Sequence, residues 1–219
     1  MFSAVLATIL FPGFLLPKMP DGILKAFLDI GGIALVISGF LLRISSRGYK
    51  AWHSANSQNL VAGGPYALMR NPMYLGTFLI GVGISLLIFK WWVSPVFGLI
   101  FLLIYAPQIK KEEAVLSRRF GDVYLRYRQA TPIFLPHPAG LFKKGIRRHI
   151  VFKWQWARNE LPSLLGVFAL VIATDIWKDI IFFGRIEYQR ELLKSLLIIL
   201  CFCAIVTVFY EKENVAKKF

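Results

Sequence analysis

The sequence predicts an all-α fold, a polytopic membrane bundle of about six spans. Three observations carry this. Apolar runs close to bilayer length recur along the 219 residues. Hydrophobic residues make up 57% of the chain and charged residues only 17%, with a mean hydropathy of +0.59, which is poor in charge for a soluble domain. Alternating ten-residue strand patterns are missing, so the spans are expected to pair their backbone groups as helices rather than as a barrel.

The first apolar segment runs from about Phe2 to Leu16 and carries Pro12-Gly13, which predicts a kink. It has no basic region before it, so it is expected to be a retained span rather than a cleaved leader. The second segment is roughly Ala26 to Leu42. The third and fourth, about Met73 to Phe89 and Trp91 to Ala106, are separated by Lys90 and neighbouring aromatics, which predicts a tight helical hairpin. The fifth and sixth are roughly Leu161 to Trp177 and Leu193 to Tyr210. Several are short for a full bilayer, so tilted or interfacial placement is expected for some. Cys201 and Cys203 in the sixth are two apart on a helix, cannot pair, and read as small buried hydrophobes with no metal signature.

The net charge is +14. In a soluble chain this would suggest nucleic acid. Here the basic residues flank apolar runs, which fits the positive-inside rule and contact with anionic lipid headgroups. Arg43, Arg47, Lys50 and Arg70 lie between segments two and three, and twelve more Lys and Arg lie between Lys110 and Arg158. With six spans these connections share one face, expected to be cytoplasmic with both termini. Loops poor in cysteine and free of glycosylation sites point to a bacterial inner membrane. From Ala139 to Glu160 basic residues alternate with Phe142, Ile146, Phe152, Trp154 and Trp156. This reads as an amphipathic helix lying on anionic lipid, or as a lid or docking surface. The domain organisation follows: 1–59 N-terminal helices and loop, 60–136 a core, 137–160 the basic segment, 161–219 a C-terminal helix pair.

Two stretches carry the chemistry. In the first, Arg70-Asn71-Pro72 precedes the third segment. Asn is a good N-cap and Pro is favoured at the first helical position, so a helix is expected to start at Pro72. Its free amides, its positive dipole end and Arg70 would then face the cytoplasmic mouth and suit a carboxylate or phosphate. Gly76 would let a flat ring approach the backbone. The plainer alternative is a helix start with Arg70 as a topology anchor. In the second stretch the fourth span is expected to continue past Pro107, bringing Glu112 and Glu113 just outside the hydrocarbon. Phe120-Gly121 reads as a helix end. Asp122 would cap a short helix with Tyr124 and Tyr127 on one face. Two acids and two tyrosines can cradle a cation or a ribose diol. The alternative is a charged interfacial helix with compensating pairs. Gly81 and Gly83 fall inside the third span and read as packing positions.

The ordered pattern Gly64-Pro65-Tyr66, Arg70-Asn71-Pro72, Tyr74, Gly76, a hairpin, then Glu112-Glu113, Leu116, Phe120-Gly121, Tyr124 and Tyr127 resembles the core of the isoprenylcysteine carboxyl methyltransferase and phospholipid methyltransferase family. The resemblance implies a multi-span helical enzyme that moves a methyl group from S-adenosylmethionine to a lipophilic acceptor, an isoprenylcysteine-like carboxylate or a lipid amine. It implies a cofactor pocket of Tyr66, Arg70, Asn71, Tyr74, Glu112, Glu113 and Tyr124. The cofactor's carboxylate would meet Arg70 and the start of the third span; Arg70 could also clamp an anionic acceptor, and Glu113 or Glu112 would take the proton of an amine. The family's Arg-His-Pro is Arg70-Asn71-Pro72 here, which keeps the cap and loses an imidazole. Where the family often has Arg after the later proline, Pro132 is followed by Ile133. The alternatives are an NADPH-dependent membrane reductase of the sterol-reductase type and a non-catalytic membrane protein that keeps the core.

Overall fold

The structure is a computed structural model that describes residues 12–16, 22–54, 59–135, 149–150, 153–158 and 160–182. Among these residues it is helical throughout, without a strand. In chain order the helices are α1 (Pro12–Leu15), α2 (Ile23–His53), a 3-10 turn (Gly64–Ala67), α3 (Pro72–Ile88), α4 (Val93–Phe120), α5 (Asp122–Ala130), α6 (Trp154–Ala157) and α7 (Leu161–Phe182). The chain forms two compact units, 1–167 and 168–219, and the elements of the site all belong to the first. The sixth apolar segment, its two cysteines and most of the first lie outside the described residues, as does most of the basic segment.

Among the described residues two helices, α2 and α4, are long and apolar enough to cross a membrane, while α3 and Leu161–Thr174 are apolar but shorter. The 17 residues of α3 rise about 26 Å, slightly less than a typical hydrocarbon core. Helix α2 departs furthest from expectation: it continues eleven residues beyond Leu42. The basic stretch after Leu42 contains no proline, and Ser46 Oγ satisfies itself on the Leu42 carbonyl at 2.6 Å, so nothing stops the helix where its hydrophobicity ends. Arg43, Arg47 and Lys50 therefore stand on a helix and not in a loop.

Glycines set the distance between α2 and α3. A Cβ at Gly39 would lie 2.6 Å from the Gly76 carbonyl oxygen, and one at Gly83 would lie 2.6 Å from that of Gly32. The two contacts are seven residues apart on each helix and run in opposite directions, so the helices are antiparallel with backbones in touch. In lipid, where apolar side chains gain little from meeting each other, such close approach supplies van der Waals contact that bulkier residues would prevent. The expected hairpin is present: α3 and α4 are joined across residues 89–92. Near its tip Ser85 and Ser94 share a hydrogen bond of 2.5 Å. Lys90 caps it by donating its amide to the Leu15 carbonyl and its Nζ to the Gly13 carbonyl. Phe97, Phe101 and Tyr105, one turn apart on α4, pack ring to ring along that helix, and Phe101 and Tyr105 meet Phe78 and Tyr74 of α3 in tilted pairs.

The basic segment docks where it is described. Trp156 is buried and its ring covers Gly48, while Lys153 Nζ lies over the Trp52 and Trp156 rings. Glu160, 1% exposed, pairs with Arg43 at 3.0 Å and Arg47 at 2.9 Å. This part of the segment thus packs as a strut on the C-terminal half of α2. Glu160→Gln should lower stability by about 1–3 kcal/mol. That is below the cost of breaking a fully buried pair, because Arg47 is half exposed and can rehydrate. A thermal unfolding midpoint equal to that of the wild type would show that the strut carries no load.

Candidate functional site

The hairpin returns the chain to the face it left. Residues 70–74 at the start of α3 and residues 112–127 of α4 and α5 consequently meet around a cavity of about 280 Å³. Tyr66, Arg70, Asn71, Tyr74, Glu112, Glu113 and Tyr124 all line it. Gly76 does not. It faces α2, where a Cβ would lie 2.7 Å from Arg43 Cγ and 2.8 Å from the Gly39 carbonyl oxygen, so its role is helix packing and not approach of a ligand ring.

The start of α3 is fixed from outside the helix. The amides of Arg70 and Asn71 donate to the carbonyls of Pro132 and Ile133 at 2.8 and 3.2 Å. Asn71 occupies the N-cap position with Pro72 at the first turn, as the sequence indicates, but its side chain makes no cap hydrogen bond. Its Nδ2 reaches the Ile133 carbonyl at 3.5 Å instead. The amides of Met73 and Tyr74 precede the first intrahelical bond, which Leu75 makes to Asn71, and both residues line the cavity.

On the other wall, α4 runs through Pro107 and ends at Gly121, whose φ of 50° needs a residue without a Cβ. Asp122 is the first residue of α5 and not its cap; Gly121 takes the cap position. This sharp turn aims Tyr124 and Tyr127 back at the cavity, with ring centroids 6.1 Å apart. Tyr127 donates its hydroxyl to the Tyr66 carbonyl at 2.7 Å and so ties α5 to the 3-10 turn.

The charges are arranged in pairs. Glu113, 13% exposed, lies 3.3 Å from Arg70, 8% exposed, and 3.9 Å from Arg128. The Arg70 contact has ion-pair distance without hydrogen-bond geometry. Arg70 Nε and Nη1 and Glu113 Oε1 are buried with no hydrogen-bond partner. Such atoms are costly unless something completes them. Glu112 is exposed and accepts from Tyr74 at 2.5 Å and from Gln108 at 3.2 Å. Burial, first of all, pushes the Tyr66 hydroxyl well above the ordinary tyrosine range, with Glu112 adding to it. The same is true of Tyr127, helped by the neighbouring tyrosines; burial also raises Tyr124, where Glu113 adds and Arg70 and Arg128 oppose. These three hydroxyls stay protonated at neutral pH and serve as neutral polar groups.

The cavity also draws on residues that the motifs did not single out: Lys50 and Ser54 from the end of α2, Asn59, and Arg119. The sequence signal for Arg119 was available, since Glu112, Glu113, Leu116, Arg119 and Phe120 follow helical spacing on one face. Lys50 was hidden by the assumption that α2 stops with its apolar run. Among the described residues no group of three or more His, Cys, Asp or Glu is placed to hold a metal ion.

The cavity is polar and charge-paired and lies at the end of an apolar helical hairpin. Comparison with known proteins points to its class. Residues 28–123 match the model of the phospholipid methyltransferase family, so the chain resembles this family across the stretch that builds the cavity. The chain is 35% identical over 77 residues to protein-S-isoprenylcysteine O-methyltransferase of Schizosaccharomyces pombe, covering 35% of this chain and 33% of that one. It is 30% identical over 122 residues to the nickel-cobalt-cadmium resistance protein NccN of Alcaligenes xylosoxydans xylosoxydans, covering 55% and 56%. The human protein-S-isoprenylcysteine O-methyltransferase is 27% identical over 133 residues, covering 55% and 44%. The chain thus spans from about a third to just over half the length of these relatives. No solved structure matches it significantly.

Proposed function

We propose that this chain is an integral membrane methyltransferase that transfers a methyl group from S-adenosylmethionine to a lipophilic acceptor, an isoprenylcysteine-like carboxylate or a lipid amine. The observation that carries this is the Arg70–Glu113 pair with its buried unpartnered atoms, set among three protonated tyrosines and beside Glu112. The family implies a methyl donor, and the residues fit a cationic sulfonium attached to an adenosine. Glu112 and Glu113 oppose a cation or accept from ribose hydroxyls. The Tyr66, Tyr74 and Tyr124 rings offer π faces to a positive centre.

The donor supplies an activated methyl group, so the protein needs little covalent chemistry of its own. The walls hold the reactants in line and exclude water. Arg70 clamps an acceptor carboxylate through Nε, which has no hydrogen-bond partner, and Nη1, whose contact with Glu113 is an ion pair without a hydrogen bond. For an amine acceptor, Glu113 Oε1, which lacks a hydrogen-bond partner, takes the proton. The apolar acceptor is already concentrated in the bilayer and reaches the site sideways along the hairpin, while the soluble donor comes from the basic side. The reading includes six spans, cytoplasmic termini, contact with anionic lipid and a bacterial inner membrane.

Calorimetric titration of the purified protein with S-adenosylhomocysteine and with NADPH tests the class of chemistry. Binding of the first and not the second is expected. NADPH binding alone would move the chain to the reductases, and binding of neither would leave a non-catalytic role for the core.

A further inference from the structure

The cavity holds more positive charge than its paired floor uses. Its lining includes three cations, Lys50, Arg70 and Arg119, and two anions, Glu112 and Glu113. Arg70 is committed to Glu113 and is nearly buried. Glu112 is engaged by Tyr74 and Gln108. Lys50 and Arg119 differ from these. Both are exposed, and neither forms a salt bridge among the described residues. Arg119 only rests its guanidinium 5.6 Å over the Phe120 ring. They come from separate helices, the last turns of α2 and α4, yet they face one cavity. Two like charges brought to a common space repel unless an anion lies between them.

We infer that Lys50 and Arg119 form the clamp for the anionic tail of the cofactor, the amino-acid carboxylate of S-adenosylmethionine, and that this task does not fall to Arg70. The inference rests on the methyl-donor reading and adds a division of labour to it. The inner floor, already neutralised as Arg70–Glu113, receives the reacting centre. The outer rim, cationic and open to water, receives the carboxylate. This arrangement suits a zwitterionic donor, because the sulfonium meets carboxylates and tyrosine faces while the carboxylate meets cations. It also leaves Arg70 Nε, which has no hydrogen-bond partner, for the acceptor. Lys50 and Arg119 both carry mobile side chains, so they can close on a carboxylate without moving a helix.

The test compares two ligands that share adenosine and a thioether sulfur. S-adenosylhomocysteine keeps the amino-acid tail; 5′-methylthioadenosine lacks it. Both are titrated into full-length protein in phosphatidylcholine nanodiscs, for the wild type, Lys50→Gln, Arg119→Gln and the double variant. The double variant should bind S-adenosylhomocysteine about tenfold or more weakly, with 5′-methylthioadenosine within about twofold of wild type. Thermal unfolding should be unchanged, because both side chains are exposed. If the wild type binds S-adenosylhomocysteine and the variants bind it equally well, the clamp is refuted and the donor reading stands. If the wild type binds neither ligand, the donor reading falls and the clamp falls with it. Repeating the titrations with phosphatidylglycerol separates the other source of anions. An effect of the substitutions seen only there would assign the two cations to lipid headgroups and overturn the proposal.

Discussion

Replacing Glu113 by Gln should weaken S-adenosylhomocysteine binding by about 30- to 5,000-fold, the equivalent of about 2–5 kcal/mol for removing one partner of a buried charged hydrogen bond. The structure adds a second consequence. Glu113 is not an exposed interfacial acid. It is the counter-ion of Arg70, which is 8% exposed, so the substitution also leaves a nearly buried cation without its anion. Stability should therefore fall along with binding. The two effects can be separated by adding Arg70→Gln. Replacing both members of an ion pair costs less than replacing one, because no charge is left stranded. The double variant should recover much of the lost stability and none of the lost affinity. If Glu113→Gln binds the ligand as tightly as wild type, the role given to the acidic pair is wrong. If the double variant recovers both, Glu113 acts only by neutralising Arg70.

The polar half of the site was legible because its elements announce themselves locally. Asn71-Pro72 starts a helix by rules that involve only neighbouring residues, and Gly121 ends one for the same reason. The helical spacing of Glu112, Glu113 and Leu116 holds wherever the helix packs. What the sequence did not show depends on partners far along the chain. That Gly76 belongs to a helix contact follows from Gly39, thirty-seven residues earlier, standing opposite it. That α2 outlives its apolar run follows in part from Trp156 covering Gly48 and Glu160 bridging Arg43 and Arg47, contacts more than a hundred residues distant. Basic residues after a hydrophobic stretch suggest a loop when read by hydropathy alone. Hydropathy reports where the lipid ends, and helix termination is decided by caps and breakers. The Lys50 wall of the cavity was lost to that distinction.

On α2, Gly39 packs against α3 at the seam of the two helices, while Gly31, eight residues earlier, faces open space. A Cβ at Gly39 would sit 2.6 Å from the Gly76 carbonyl oxygen and 3.0 Å from the Ile80 amide nitrogen, whereas at Gly31 nothing lies within 4 Å. The atoms met at Gly39 include backbone, which cannot rotate away as a side chain could. Gly39→Leu should therefore push the helices apart and cost about 1–3 kcal/mol or more. Gly31→Leu should stay within about 0.5 kcal/mol, since it adds an apolar side chain facing open space. The consequence for the site is indirect but specific. Tyr74 and Asn71 stand on α3, Lys50 and Ser54 on α2, and the seam sets the distance between these walls of the cavity. Gly39→Leu protein that still folds should bind S-adenosylhomocysteine more weakly, although no atom of residue 39 lines the cavity. Unfolding midpoints and calorimetry on both variants supply the check. Equal stability of the two would mean that the helices do not depend on this close approach, and normal binding by a destabilised Gly39→Leu would mean that the seam holds the bundle together without shaping the site.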